Sequence, residues 1–234
     1  MAKKTHLSEQ STQVEKQVGE ILSKTDVFVD QYLKKTIIAV VAVLAIIVGF
    51  IAVRHLYLIP RTSEAAAALF PAENHFAAQE WALALNGDSV GNLGLLDVIE
   101  EYGGLFGTPS ANLAKYYAGI CEFHLGDTET ALKHLKSFSS KDQIVAAQAI
   151  GAIGDCEANL GNSASAVAHF KKAAEKANSS VISPIYLNKA AIASEDLGDY
   201  KKALEFYQTI KTKYPQSYEA QSVEKYIQRA KLKL

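Results

Sequence analysis

The sequence predicts an all-α protein in which one apolar helix precedes a solenoid of helical hairpins. The first observation is an uncharged apolar run of 17 residues, 37–53. The second is the helical spacing of apolar residues after Pro60, with almost none of the alternation that half-buried strands show. The third is a corner of Gly followed by Asp or Asn, which recurs at spacings of 35 and 37 residues and indicates a repeat architecture.

These observations divide the chain into five parts. Residues 1–35 form a partly helical tail, and residues 36–59 form the apolar helix. Residues 60–110 hold a stalk and a degenerate helical pair, and residues 111–216 hold three repeats. Residues 217–234 form one polar-faced helix, which is suited to cap the open end of a solenoid.

The tail carries apolar residues at helical spacing, at Val14, Val18 and Ile21. Thr25 or Asp26 is suited to cap a helix that runs into the apolar segment. Two interpretations stay open for this tail: a fraying, partly helical terminus, and a docking helix for a cytoplasmic partner.

Residues 36–59 are long enough for a single transmembrane helix, because a hydrocarbon core of ~30 Å needs about 20 helical residues. No polar face interrupts the run, which argues against a buried core helix. The alternative is a cleavable signal peptide, since residues 64–70 include small residues suited to cleavage. The 36 residues that precede the run are too many for a secretory signal, so we expect an uncleaved anchor in the lipid bilayer.

The charges beside the run favour one orientation. Lys24, Lys34 and Lys35 precede it, whereas Arg54 and Arg61 lie near its other end. The positive-inside rule therefore places the N-terminus in the cytoplasm and the C-terminal domain on the outer side.

The overall charge excludes several function classes. The chain carries a net charge of −1, and the part after Pro60 has 17 basic and 20 acidic residues. This balance predicts no nucleic-acid partner, because such binding needs a basic face. The two cysteines have no ligand cluster around them in the sequence, so we expect no metal and no cofactor.

The three corners share one register. A small residue stands seven positions before each corner Gly, an alanine five positions after it, and a large residue nine positions after it: Gly119, Ala131 and Leu135; Gly154, Ala166 and Phe170; Ala191, Ala203 and Tyr207. Two antiparallel helices approach closely only where neither carries a large side chain. The corner glycines Gly126, Gly161 and Gly198 allow the positive φ that ends the first helix.

This register resembles the tetratricopeptide repeat (TPR), which has a period near 34 residues. It departs from the repeat at the early aromatic position, where Lys115, Ile150 and Leu187 stand. A degenerate pair precedes the repeats, with one helix ending near Gly87 and a second over 93–102. We expect the stalk helix before it to be interrupted near Pro71.

TPR stacks bind peptides in a groove lined by the first helix of each repeat, and the resemblance carries this groove over to the chain. The register gives the predicted groove residues Tyr116, Ile120, Phe123, His124, Asp155, Asn159, Asn188 and Ile192, with Ala158 and Glu195 beside them. One half of the groove is apolar and aromatic, and the other is polar and acidic. The alternative is that the degenerate pair or the stalk covers these side chains.

No catalytic motif stands out. Cys121 and His124 share a helix face, so a thiol–imidazole pair is a distant alternative, whereas packing in equivalent repeat positions explains Cys121 and Cys156 better. Stacked repeats lie ~8–10 Å apart, too far for a disulfide between these cysteines. We also expect Glu195 and Asp196 to lie on a solvated face. The Lys and Asn residues of a carboxylate-clamp TPR are replaced by Tyr116 and Ile120, which argues against that class.

The order of parts resembles the ancillary TPR subunit of the bacterial Sec translocon, in its Bacteroidota-type form. The resemblance covers nearly the whole chain and includes ILSKTDVFVDQYLKK, ANLAKYYAGICEFHLGD and YQTIKTKYPQSYEAQSVEKYIQRAK. It implies a single-pass protein of the bacterial inner membrane with a periplasmic solenoid. It also implies translocon subunits, a prolyl-isomerase-like chaperone and exported chains as partners. An envelope scaffold in outer-membrane assembly or division is the alternative, although the lipobox cysteine of such lipoproteins is absent from this sequence.

Overall fold

A computed structural model describes Gly19 and residues 32–234. The helical spacing and the cap predicted within residues 1–31 therefore lie outside the described residues. The chain divides between Ile59 and Pro60 into two compact units, which are treated separately below.

The first unit contains the apolar run. Residues 32–53 form helix α1, and Arg54–Leu58 form one π-helical turn in which the Ile59 N–H donates to the Arg54 carbonyl. The helical segment Tyr32–Ala77 is long and apolar enough to cross a membrane, and its most apolar stretch is not buried by the rest of the chain. A signal sequence near the N-terminus meets the same criterion of length and composition.

The second unit consists of ten helices in the described part of the chain. They are α2 (Ile59–Ala77), α3 (Trp81–Asn86), α4 (Leu95–Tyr102), α5 (Pro109–Leu125), α6 (Thr128–Ser137), α7 (Gln143–Asn159), α8 (Ser163–Ala177), α9 (Ile182–Asp196), α10 (Tyr200–Lys213) and α11 (Ala220–Lys231). No strand occurs within residues 32–234, so the predicted all-α architecture is confirmed. From α3 to α11, helices that follow each other in the chain pack against each other, as in a solenoid.

The predicted helix crossings are present. A Cβ atom added to Gly119 would lie 2.6 Å from Leu135 Cγ, and one added to Gly154 would lie 2.7 Å from the Phe170 ring. The alanines of the second helices, Ala131, Ala166 and Ala203, are completely buried. Small residues therefore set the distance between the two helices of a hairpin, as the register predicts.

The corner glycines also follow the prediction, whereas Asn162 at the second corner makes no side-chain cap bond. Gly126, Gly161 and Gly198 have φ angles of 92°, 79° and 75°, which glycine adopts without strain. The carboxylates of Asp127 and Asp199 accept hydrogen bonds from backbone N–H groups in the first turn of the next helix. These bonds satisfy N–H groups that would otherwise have no partner within the helix.

The last helix, α11, covers the end of the solenoid. It buries Val223, Ile227 and Ala230, and the first two belong to the same apolar cluster as Tyr207 and Ile210 of α10. The predicted capping helix therefore packs on the last hairpin through one apolar face.

The expected interruption of the stalk at Pro71 is wrong. Helix α2 continues through Pro71 to Ala77. A proline inside a helix removes one hydrogen bond and costs ~3 kcal/mol. The neighbouring residues Leu69 and Ala72 are buried in an apolar cluster, and this packing holds the helix together across the missing bond.

Candidate functional site

A small cavity opens between the first helices of two consecutive repeats, α5 and α7. Its volume is about 190 Å³. Four of the eight predicted groove residues line it, together with residues of the hairpin core: Ile120, Phe123, His124, Leu135, Ala152, Asp155 and Cys156. The other four predicted groove residues lie outside this cavity.

The floor and walls of the cavity are apolar. Leu135 and Cys156 are buried, and Ile120, Phe123 and Ala152 are half-buried and pack against the same cluster. Sites for small-molecule ligands usually have volumes of ~300–1,000 Å³. The cavity is smaller than this range, so it suits a single inserted side chain better than a cofactor.

His124 marks the edge of the cavity nearest the degenerate pair. Its ring stacks on Trp81 of α3, with ring centroids 4.3 Å apart and an angle of 5° between the planes. Phe76 contacts both Trp81 and Tyr117, at centroid distances of 5.4 Å and 4.6 Å. The degenerate pair therefore covers one face of His124, although the side chain remains exposed.

The polar side of the cavity is an ion pair. The Lys189 ammonium group of α9 lies 2.7 Å and 2.8 Å from the two carboxylate oxygens of Asp155. Both side chains are about one-third exposed, at 38% and 34%. The polar half of the groove therefore carries a neutralised carboxylate. The sequence analysis missed Lys189, although it follows Asp155 by 34 residues, which is one repeat period.

The other four predicted groove residues have different surroundings. The half-buried Tyr116 packs against Phe138, with centroids 5.4 Å apart, and burial raises the pKa of its phenol. Asn159 accepts a hydrogen bond from the Thr128 hydroxyl at 2.9 Å. Asn188 is half-buried and Ile192 is exposed, both on α9. The structure does not bring these four together with the cavity.

The expectation of a solvated face at Glu195 is wrong. Its side chain is only 14% exposed, because the guanidinium of Arg229 in α11 binds its carboxylate. The two residues are 34 apart, again one repeat period. The ion pair between Glu195 and Arg229 therefore links the capping helix to the third repeat.

Two buried glutamates occupy equivalent positions, four residues before successive corner glycines. Glu122 accepts a hydrogen bond from His134 Nδ1 at 2.8 Å, and Glu157 accepts from Lys136 at 3.1 Å and Asn162 at 3.0 Å. Burial opposes the ionised form of Glu157, but the two hydrogen bonds outweigh it and lower its pKa.

The bond between His134 and Glu122 links α6 to α5 within one hairpin, and the bond between Lys136 and Glu157 links α6 to α7 of the next hairpin. The sequence analysis missed both glutamates. The signal in the sequence that could have identified them is an acidic residue that recurs at the same repeat position on two otherwise apolar helices.

The two cysteines are free and completely buried. Burial raises the pKa of Cys121 to about 12 and that of Cys156 to about 11. Both thiols are therefore protonated at neutral pH and are poor nucleophiles. Within the described part of the chain, no group of three or more His, Cys, Asp and Glu side chains could hold a metal ion.

Comparisons with known proteins agree with this architecture. Two family models, both of the tetratricopeptide repeat, match residues 113–142 and 152–218. These matches identify tetratricopeptide repeats in the predicted region, and such repeats support a role in protein–protein interaction. A comparison with curated proteins gives no match.

Two solved structures show the same fold. The first is a Q17M variant of nearly identical TPR-like repeats from a Podosopora anserina protein described as a kinesin light chain. It has a TM-score of 0.56 and 12% identity, and the match covers 74% of this chain and 87% of that one. The second is the MamA protein, with a TM-score of 0.51 and 16% identity, and the match covers 72% of this chain and 91% of that one. At these identities the likeness concerns the fold alone.

Proposed function

We propose that the chain is a membrane-anchored TPR protein whose solenoid binds apolar segments of other proteins. The observation that carries this proposal is the apolar cavity of about 190 Å³ between α5 and α7, in the groove that TPR domains use for binding. The cavity accepts one leucine-sized or phenylalanine-sized side chain of a partner. Burying such a side chain contributes ~1.5–3 kcal/mol, which corresponds to an affinity change of about 10- to 150-fold.

The surroundings of the cavity support recognition of a peptide segment. The Asp155–Lys189 pair lies at its edge and is partly exposed, so it offers a hydrogen-bond acceptor and donors to a peptide backbone. Because the carboxylate is already neutralised, a partner needs no positive charge to bind. This combination favours apolar segments over acidic or basic ones.

The anchor completes the proposal. Residues 36–59 cross the bilayer with the N-terminus in the cytoplasm, and they hold the solenoid in the bacterial periplasm. A single inserted side chain gives weak binding, and tethering near the partner raises the effective concentration of the groove. The resemblance to the ancillary translocon subunit supports newly exported chains as clients. It likewise supports translocon subunits and a prolyl-isomerase-like chaperone as companions.

The test fills the cavity from one of its half-buried lining residues. Ala152 is half-buried and lines the cavity, so Ala152→Leu occupies the proposed binding space. The matched control is Ala168→Leu, because Ala168 is exposed on α8. The full chain in lipid nanodiscs is titrated with a synthetic peptide that carries one Leu- and Phe-rich segment, and circular dichroism checks the fold of each variant.

We expect Ala152→Leu to weaken peptide binding at least about tenfold, and Ala168→Leu to leave it unchanged. Equal binding by the two folded variants would overturn the groove assignment. The translocon role has a separate test, in which the full chain is extracted gently and its companions are identified by mass spectrometry. Consistent absence of translocon subunits would remove that role and leave the groove untouched.

A further inference from the structure

A short apolar loop protrudes between α4 and α5. It consists of Gly103, Gly104, Leu105, Phe106 and Gly107, and no charged residue occurs between 102 and 114. Leu105 is 94% exposed and Phe106 is 54% exposed. Two adjacent large apolar side chains that are exposed together on an uncharged loop indicate contact with something outside the solenoid.

The base of this loop is fixed. The Thr108 N–H donates to the Tyr102 carbonyl at 3.0 Å, which closes the loop on itself. Thr108 is buried, and its hydroxyl caps α5 by accepting from the Ala111 N–H at 3.2 Å. The loop is therefore presented by two anchored helix ends.

Arg61 ties the base of the loop to the start of the second unit. Its guanidinium donates to the Glu101 carbonyl and lies over the Tyr102 ring, 5.3 Å from the centroid. Arg61 follows Ile59 by two residues, so chain connectivity keeps their Cα atoms within ~7 Å. The base of the loop is therefore bonded to a residue that lies two positions after the apolar segment 36–59 in the chain.

We propose that Leu105 and Phe106 insert into the lipid surface next to the anchor. This inference rests on the membrane anchoring proposed above. Aromatic and apolar side chains on short segments partition into the interface between headgroups and acyl chains. The loop and its neighbours, residues 102–114, carry no charged side chain that would oppose insertion into lipid.

A lipid surface fits these observations better than a protein partner does. Stable protein interfaces bury ~800 Å² on each side and need shaped surfaces. Two side chains on a loop tip offer far less area, whereas a fluid lipid interface needs no shape complementarity. The base of the loop is also bonded to Arg61, which follows the apolar segment by two residues in the sequence, and this connection favours lipid as the occupant.

The test places nitroxide labels on the full chain in nanodiscs that contain phosphatidylethanolamine and phosphatidylglycerol but no other protein. Leu105→Cys carries the probe. Val90→Cys is the matched control, because Val90 is 82% exposed in the loop at the opposite end of α4. Gly49→Cys reports on the anchor, since nothing lies within 4 Å of a Cβ at Gly49.

The native cysteines do not compete for the label, because both are buried and their thiol pKa values are raised to about 12 and about 11. The measurement compares relaxation of each label by oxygen, which concentrates in lipid, and by a water-soluble nickel complex. A nitroxide is itself apolar. A second variant therefore adds Phe106→Ser to the labelled Leu105→Cys and Val90→Cys chains.

We expect the Leu105 label to show at least about threefold higher oxygen-to-nickel accessibility than the Val90 label, for which we expect an aqueous environment. Phe106→Ser should lower that ratio at Leu105 and leave it unchanged at Val90. If the Leu105 label is exposed to water while the Gly49 label is exposed to lipid, this inference is overturned but the proposed anchoring stands. A protein occupant would then be the interpretation of the loop. A water-exposed Gly49 label would overturn the proposed anchoring and this inference with it.

Discussion

The same dipeptide, Gly-Asp, has different roles in two regions of the second unit. In the first repeat, Gly126 ends α5 and the carboxylate of Asp127 caps α6. In the degenerate pair, Gly87 also has a positive φ of 84°, but α4 begins only at Leu95. Asp88 there binds its own loop, by accepting hydrogen bonds from the N–H groups of Val90 and Asn92 at 3.0 Å each.

The contrast continues in how the helices are held together. The repeats use close crossings, such as Gly154 against the Phe170 ring. Around the degenerate pair, Trp81 of α3 stacks on His124 of α5, and the two ring nitrogens of His75 in α2 lie 2.6 Å from Glu80 and 3.4 Å from Asp88. A Gly-Asp corner therefore joins two helices into a hairpin only where the second helix begins directly after it. Where the second helix begins later, aromatic and polar contacts hold the helices instead.

The largest expected effect comes from removing the ring at a repeat crossing. Phe170 is 3% exposed and fills the space opposite Gly154. We expect Phe170→Ala to reduce the free energy of unfolding by ~3–5 kcal/mol, because it removes buried contacts and leaves a cavity. Urea unfolding of the full chain in detergent, followed by circular dichroism, measures the change.

The matched variant in the degenerate pair is Trp81→Ala. Trp81 is half-buried, and its stacking partner His124 is exposed. We therefore expect a smaller loss than for Phe170→Ala. Equal losses would show that the two regions depend on ring packing to the same degree, which contradicts the comparison.

An intermediate effect comes from adding one methyl group at the crossing. In Gly154→Ala the new Cβ would lie 2.7 Å from the Phe170 ring, so that the ring or the helix must shift. Overpacking of this kind costs ~1–3 kcal/mol. The same urea experiment gives the value.

The control is Gly161→Ala at the corner of the same repeat. Nothing lies within 4 Å of a Cβ there, and only the φ of 79° opposes the substitution. We expect a cost of ~1 kcal/mol from this backbone strain. A corner variant less stable than the crossing variant would reverse our ranking of the two constraints.

The smallest expected effect depends on pH and belongs to the degenerate pair. Hydrogen bonds to Glu80 and Asp88 raise the pKa of His75 above its ordinary value. The protonated histidine therefore stabilises the fold fully below ~pH 6.5, and this contribution fades as the pH rises through the raised pKa. We expect the melting temperature of His75→Gln to fall below that of the wild type at ~pH 5.5, with the difference shrinking by ~pH 9.

The titration of Asp88 does not overlap with that of His75. Hydrogen bonds from Asn92 hold its pKa at about 2, so the stability that it contributes is lost only as the pH falls towards that value. The carboxylate stays ionised over the range in which His75 titrates. A difference in melting temperature that does not change with pH would mean that His75 acts through packing alone.

The sequence predicted what depends on local chemistry. The corners at Gly126, Gly161 and Gly198 and the crossings at Gly119 and Gly154 follow from backbone freedom and side-chain size, which can be read at fixed positions. The sequence predicts a helix break at Pro71, but α2 continues through it, because packing of the neighbouring residues in the folded chain outweighs the local cost of a proline.

The candidate site shows the same limit. The repeat register alone places Ile120, Phe123, His124 and Asp155 in one groove, and these four line the cavity. It did not give Lys189 or Trp81, because these contacts depend on how neighbouring helices face each other. Lys189 lies one repeat period from its partner, whereas Trp81 belongs to the pair in which the register is lost.

The span of the contacts between helices has a consequence for biogenesis. The bonds from Lys189 to Asp155, from Arg229 to Glu195 and from Arg61 to Glu101 join residues 34, 34 and 40 positions apart. Folding with such low contact order is fast, and it needs no distant partner sequence. Each hairpin can therefore complete its contacts with the preceding one soon after it leaves the ribosome, so that the solenoid grows from its N-terminal end.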